Sequence, residues 1–254
     1  MIRMKNPVKA KLKAGEPSVG TWLAIGHPDI SEILADLGFD WIVFDTEHGP
    51  LSIETVQCLM QAMSYSTDCI PMVRVAWNDL VLIKRALDIG AYGVVIPWVN
   101  TKEDAINAVR YCKYPPEGIR GCGPRRAAMR DEEYIKTAND EILIVVQIET
   151  ETAIKNLDEI FSVKGVDACF IGPSDLTMSL GIYRGLNHPK FKNAVDTVLR
   201  ACKRWGVAPG MHCNEANINE AIAQGFQFCA LDSDTMFLRR GAVDSLRKVK
   251  GWTH

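Results

Sequence analysis

Residues 80–98 read "LVLIKRALDIGAYGVVIPW". The stretch to Gly90 places apolar side chains at helical spacing and stops at glycine, the residue type that best takes the left-handed turn closing a helix. The remainder, "YGVVIPW" (92–98), is a short apolar run rich in β-branched residues, the pattern of a strand covered on both faces. A helix that hands over to such a strand within a few residues is one unit of a parallel α/β fold. Outward from this stretch the unit repeats. Strand-like runs begin at "SVGTWLAI" (18–25), "DWIVFD" (40–45), "IPMVRV" (70–75), "ILIVVQIE" (142–149), "VDACFIG" (166–172), "VAPGMHC" (207–213) and "FQFCALD" (226–232), which with 92–98 makes eight. Helical segments such as "DISEILADLG", "SIETVQCLMQAMS" and "KFKNAVDTVLRACKRWG" lie between them, several ending in glycine at Gly38, Gly90, Gly206 and Gly225. Eight strands alternating with helices in 254 residues predict a single-domain (β/α)8 TIM barrel over 1–254. An open doubly wound sheet is the alternative, but "AIGHPD" after the first strand lacks its glycine fingerprint.

Composition narrows the function classes. A hydrophobic content of 47% supports a large core, and a net charge of −2 from 29 basic and 31 acidic residues favours neither nucleic acid nor a membrane surface. No apolar run reaches the roughly 18 residues a membrane span needs. The N-terminal "MIRMKNPVKAKLKAGEP" has no signal-peptide middle, so a cytoplasmic protein is expected. The eight cysteines show no C-x-x-C pair and read mostly as small buried hydrophobes rather than a zinc site.

A parallel barrel carries its active site at the C-terminal strand ends. There the polar residues collect: Asp45, Glu47 and His48 after strand 2, Arg74 in strand 3, Gln147 and Glu149 at strand 5, Asp175 in "GPSD" after strand 6, His212 at strand 7, and Asp232 and Asp234 at strand 8. Glu149 and Asp175 are the best pair for a hard divalent cation; the plainer readings are a helix cap for Glu149 and a turn bond for Asp175. Arg74, a cation in an apolar strand, requires an anion, either a protein carboxylate or a substrate oxygen. His48 is the candidate general base, with Asp45 to orient it, or else a loop histidine bonded to backbone. His27 and His188, each before proline, read as loop or helix-start residues. Asp88 ends a helix, at the bottom of the barrel, so any active site it serves belongs to a neighbouring subunit; otherwise it is a solvated carboxylate.

The motifs "FDTEHGP", "PMVRV", "ALDIGAYGVVIP", "YPPEGIRGCGPRRA", "VQIETETAIKNLDEI", "GVDACFIGPSDLTMSLG" and "SDTMFL" together closely resemble the HpcH/HpaI aldolases, class II metal-dependent pyruvate aldolases, over nearly the whole chain. The resemblance implies a barrel whose C-terminal helix is exchanged with a partner subunit, in a homohexamer built as a trimer of dimers. It implies cleavage of a 4-hydroxy-2-oxo or 2-keto-3-deoxy acid to pyruvate and an aldehyde. The divalent metal, Mg²⁺ or Mn²⁺ with Co²⁺ or Zn²⁺ as further candidates, would be held by Glu149 and Asp175. Arg74 would stabilise the enolate, and His48 with Asp45 would form an acid/base dyad. Asp88 would be lent to the adjacent subunit. Gln147 and the backbone of Gly172, Pro173 and Ser174 would line the pyruvate site. The chain departs from the resemblance at Asp232, where a small residue is usual, and in the loop 114–131 with Arg125, Arg126 and Arg130. That loop and the segment 176–188 are where aldehyde choice is expected to be set. A related lyase acting on a CoA thioester, a citrate-forming synthase and a catalytically dead binding barrel are the competing readings. A lysine Schiff base is not expected, since Lys84 and Lys164 fall in a helix and a turn.

Overall fold

The computed structural model describes residues 5–65 and 69–249. Eight parallel strands form a closed barrel in chain order: β1 Ser18–Leu23, β2 Trp41–Asp45, β3 Ile70–Arg74, β4 Gly93–Ile96, β5 Leu143–Ile148, β6 Ala168–Ile171, β7 Ala208–Cys213 and β8 Phe228–Ser233. All eight expected strands are present, most of them shortened. β4 stops at Ile96 because Pro97 has no N–H for the ladder and Trp98 turns to φ +57. The expected helix-closing glycines Gly38, Gly90, Gly206 and Gly225 all take positive φ.

The helices are α1 Pro7–Lys13, α2 Pro28–Ala35, α3 Ile53–Ala62, α4 Leu80–Asp88, α5 Lys102–Cys112, α6 Tyr134–Glu141, α7 Glu151–Lys155, α8 Leu157–Phe161, α9 Pro173–Ser179, α10 Pro189–Trp205, α11 Ile218–Ala223 and α12 Asp234–Leu246. His27 and His188 are the N-caps of α2 and α10, their ring nitrogens accepting from Asp29 and Lys190 backbone N–H groups.

Helix α1 closes the bottom of the barrel, and no element was expected there. Asn6 caps it with Pro7 in its first turn, and Val8 and Leu12, four residues apart, enter the barrel interior. Its lysines neutralise acids at the N-terminal strand ends: Lys9 Nζ lies 2.8 Å from Asp167 and Lys11 Nζ 2.5 Å from Asp40. The bottom of the barrel therefore carries charge too, but as closed ion pairs.

The interior packs aromatic rings among aliphatic side chains. Trp41 stacks on Phe228 at 4.1 Å, and Phe170 meets Trp22 edge-on at 5.4 Å. The outer layer packs between strands and helices through a second cluster, to which Cys69, Cys112, Cys169, Cys202, Cys213 and Cys229 belong as buried thiols. Cys58 and Cys122 are exposed. Among the described residues no helix is long and apolar enough to cross a membrane. Among the helices that leave apolar surface uncovered are α12, in which only Asp234 is buried while Met236, Leu238 and Leu246 are exposed, and α2 with Ile33 beside exposed Leu37.

Gly20 on β1 shows how tightly the interior is filled. A Cβ there would sit 2.0 Å from the Trp41 ring, which cannot retreat because Phe228 lies behind it. Gly20→Ala is expected to cost about 3 kcal/mol or more, the upper end for overpacking. Urea unfolding against wild type measures this, and a cost below about 1 kcal/mol would contradict the rigidity of that stack.

Candidate active site

The strand ends converge on Arg74. It pairs in register with Asp45 across β2 and β3. The Asp45 carboxylate receives Arg74 Nε at 2.9 Å and Nη2 at 2.6 Å, a two-point clamp. Arg74 Nη1 lies 3.1 Å from Glu47 Oε2 and donates at 3.4 Å to Gln147 Oε1. Below, the guanidinium rests on the Trp22 ring at 4.5 Å. Burial alone would raise the Asp45 pKa, but the bonds and charge of Arg74 override it and hold the carboxyl below its ordinary value.

Asp45 Oδ1 also accepts the backbone N–H groups of Glu47 and His48, at 3.1 and 3.2 Å. The expected link from Asp45 to His48 therefore exists through the backbone and not through the ring. The His48 side chain is exposed and makes no hydrogen bond among the described residues.

Gln147 carries the network across the mouth, donating Nε2 to Glu149 Oε2. Glu149 Oε1 accepts the Trp98 N–H at 2.8 Å. Trp98 holds a left-handed φ of +57 to make that bond, a conformation costing on the order of 1–3 kcal/mol. Gly172 fits against the same carboxylate: a Cβ there would lie 2.9 Å from Glu149 Oε2. Thr150, not Glu149, caps α7, which removes the plainer reading of Glu149. Asp175, in the first turn of α9, is half-buried and makes no hydrogen bond among the described residues, so no turn bond explains it either. Ser174 is exposed and its carbonyl accepts from Thr177.

Glu47 was only one of a row of polar strand-end residues in the sequence, and the structure gives it a larger part. Its Oε2 is buried and lacks a well-aligned hydrogen bond despite the nearby Arg74. Burial first, then the charges of Glu149, Asp45 and Asp175, push its pKa up to about 7 against the pull of Arg74. Burial likewise raises the Glu149 pKa, with Asp175 adding to it. Carboxylates crowded in this way, with Arg74 as their cation, form an oxygen donor set short of positive charge, which a hard divalent ion fits. Among the described residues no group of three or more His, Cys, Asp or Glu side chains forms a metal cage; Glu149 and Asp175 are two carboxylates here that could hold such an ion.

Residues 18–241 match the family model described as HpcH/HpaI aldolase/citrate lyase. The chain belongs to the HpcH/HpaI aldolase/citrate lyase family. It is similar to a Salmonella dublin protein named 4-hydroxy-2-oxo-heptane-1,7-dioate aldolase, with 41% identity over 245 residues that cover 94% of this chain and 92% of the relative. A solved family structure from Burkholderia cenocepacia superposes with a TM-score of 0.93 at 34% identity, covering 97% of this chain and 100% of the other. A structure described as the citrate synthase SbnG follows at 0.85 and 28%, covering 94% and 95%. As a member of the family the chain is an aldolase, a carbon–carbon lyase.

Two expected site features of this HpcH/HpaI member lie away from its own mouth. Asp88 closes α4 at the bottom and is bound at 2.7 Å by the fully buried Arg120, itself between the Tyr114 and Tyr134 rings. The loop 114–131 leads from α5 toward β5, so it also lies at the bottom. The expectation that it sets aldehyde choice is corrected for the chain's own site. It is a connection from helix to strand, and the barrel mouth is built by connections from strand to helix. Within it, Arg126 donates to the Ile89 carbonyl. Asp234 is structural, accepting the Ala24 and Ile25 N–H groups at 2.9 and 2.7 Å.

The raised Glu47 pKa has a stability consequence. The folded value of about 7 exceeds the ordinary 4.5, so the folded state is favoured below the ordinary value and loses that advantage as pH rises through 7. Removing the ionisable group abolishes the loss. In metal-free buffer, Glu47→Gln is expected to match wild type at pH 4.5 and to be more stable at pH 8 by on the order of 3 kcal/mol. Denaturant unfolding at both pH values checks this, and a variant less stable than wild type at pH 8 would mean that Arg74 overcomes the burial of Glu47.

Proposed function

We propose that the barrel mouth is a divalent-metal-dependent pyruvate aldolase site, with Glu149 and Asp175 as metal ligands, Arg74 facing the enolate and His48 as the acid/base. The substrate is a 4-hydroxy-2-oxo or 2-keto-3-deoxy acid, cleaved reversibly to pyruvate and an aldehyde. The observation that carries this reading is the continuous bond path Asp45–Arg74–Gln147–Glu149. It fixes one cation relative to one buried carboxylate before any ligand arrives, which is electrostatic preorganisation.

In cleavage the 4-hydroxyl gives up its proton and the C3–C4 bond breaks. Its electron pair stays on C3 as the enolate of pyruvate, C4 leaves as the aldehyde carbonyl, and protonation at C3 completes pyruvate. Arg74, clamped by Asp45, holds its charge beside the enolate oxygen without reorganising. His48, free of protein partners among the described residues, takes the hydroxyl proton directly or through a water. Gln147 and the Gly172–Pro173–Ser174 turn line the pyruvate side, where the missing Cβ of Gly172 leaves room beside Glu149. The bound cation supplies Lewis acidity at the ketone; Mg²⁺ or Mn²⁺ suits the oxygen donors best, with Co²⁺ and Zn²⁺ as further candidates. The lysines weighed for Schiff-base chemistry lie elsewhere: Lys84 in α4 and Lys164 in a turn, while Lys9 pairs with Asp167 at the bottom.

The exposed apolar residues of α12 and α2 support an assembly in which α12 packs on a second copy, in a homohexamer. Asp88, presented at the bottom by Arg120, would then serve a neighbour's mouth.

Deuterium exchange into the pyruvate methyl group, followed by NMR, tests the reading without knowledge of the aldehyde. Exchange is expected with Mg²⁺ or Mn²⁺ and is abolished by EDTA. Arg74→Lys keeps the charge but loses the two-point clamp, and is expected to slow exchange roughly hundredfold while Mn²⁺ affinity changes far less. Equal loss of both would assign Arg74 to holding the metal site. No exchange with any divalent ion would turn the reading toward a thioester or citrate-forming lyase.

A further inference from the structure

Every second side chain of a strand points to one face. On β7, Ala208 packs in the barrel interior, so His212, four residues on, points to the same axis. On β8, Phe228 and Ala230 are interior, and the strand then bulges against β1 between Ala230 and Ser233. Asp232 lies in that bulge at φ +49, two residues beyond the interior Ala230, near enough for its charge to oppose the lowering of the His212 pKa by burial. The charge of Arg74 adds slightly to that lowering. His212 and Asp232 therefore share the mouth with the enolate machinery, on the wall across the barrel from β3 and β4.

The hydrogen-bonding state of this wall is defined. His212 Nδ1 lies 3.2 Å from the Cys213 carbonyl, an acceptor, so Nδ1 carries the proton and Nε2 presents a lone pair. Burial keeps the ring below its ordinary pKa, and hence neutral. Nε2 makes no hydrogen bond among the described residues. Asp232 is buried and gives Oδ2 to Arg240 of α12, while Oδ1 has no hydrogen-bond partner among the described residues. The other arm of Arg240 is taken by Glu215 at 2.8 Å. The wall thus offers two acceptors, and its cation is already committed to two carboxylates.

We propose that this wall is the acceptor subsite, and that it selects an aldehyde bearing neutral hydroxyl groups, which donate to His212 Nε2 and Asp232 Oδ1, over an aldehyde ending in a carboxylate. The inference rests on the aldolase reading. It separates this chain from the Salmonella relative, whose name specifies a dioate. A distal carboxylate would meet Asp232 and Glu215 here. A further cation on a strand-to-helix connection is Arg184, between β6 and α10, exposed and lying 5.1 Å from the Tyr183 ring.

The test measures kcat/KM for glyceraldehyde, propanal and succinic semialdehyde with pyruvate and Mg²⁺, alongside methyl exchange, on the full-length enzyme. Glyceraldehyde is expected to exceed both others by about tenfold or more, the discrimination that one or two hydrogen bonds supply. His212→Leu is expected to remove most of its advantage over propanal while changing the exchange rate less than about twofold. Asp232→Asn suits the left-handed backbone and frees Arg240, so succinic semialdehyde is expected to gain on glyceraldehyde. With exchange intact, a wild-type preference for succinic semialdehyde would overturn the inference and point to Arg184. An unchanged ranking in both variants would overturn it as well. No exchange in wild type would instead remove the aldolase reading itself.

Discussion

The clamp of Asp45 on Arg74 is the interaction from which the rest of the site follows. Both side chains are almost out of water, at 11% and 13% exposure. An ion pair at that depth gains little net stability, but removing one partner costs about 3–5 kcal/mol because the other charge is stranded. The pair therefore locks two strand ends in register. It also shapes the turn that follows, since the same carboxylate gathers the Glu47 and His48 N–H groups. With Asp45 fully used in this way, His48 is left to the mouth with an unbonded ring. That freedom suits a proton carrier whose partner is substrate or water.

The second consequence is a charge deficit. Asp45 satisfies most of Arg74, and Glu47, Glu149 and Asp175 then crowd one another with little positive charge left to share. Burial and mutual repulsion raise the pKa of Glu47 and Glu149. A site tuned only for folding would pair or remove those carboxylates. Their retention, along with a tryptophan held in a left-handed conformation to bond Glu149, is the kind of local cost that a functional site carries.

The barrel itself was readable in the sequence because each unit repeats the same local signals: a β-branched run, a helical stripe and a closing glycine. The strand-end rule then gathered Arg74, Gln147, Glu149, Asp175 and the "DTEH" turn onto one mouth. What escaped was pairwise geometry. Two carboxylates, Asp45 and Glu47, stand two residues apart near one arginine, and no periodicity says which of them Arg74 will grip. Helix α1 escaped because its lysines resemble a solvated tail until Asp167 and Asp40 are seen beneath them, although Asn6–Pro7 and the Val8/Leu12 spacing were visible. The loop 114–131 was expected to help set aldehyde choice as a point of departure from the resemblance, when its position after a helix already placed it at the bottom.

The alternation that makes a strand also divides the labour of the mouth. Side chains two residues apart share a face, so the ring above the aromatic interior is drawn from every strand in turn. β2, β3 and β5 supply the clamp, the cation and the buried carboxylate. β7 and β8 lie across the axis and carry none of that machinery, so a substitution there need not dismantle it. A chain that keeps the enolate side and changes His212 and Asp232 changes what it accepts, not what it does to pyruvate. The bulge in β8 fits this division. It re-aims one residue at the mouth while Ala230 and Phe228 below stay in the packed interior. Arg240 ties that residue to α12, so the acceptor wall is coupled to the helix whose exposed apolar face calls for a second copy.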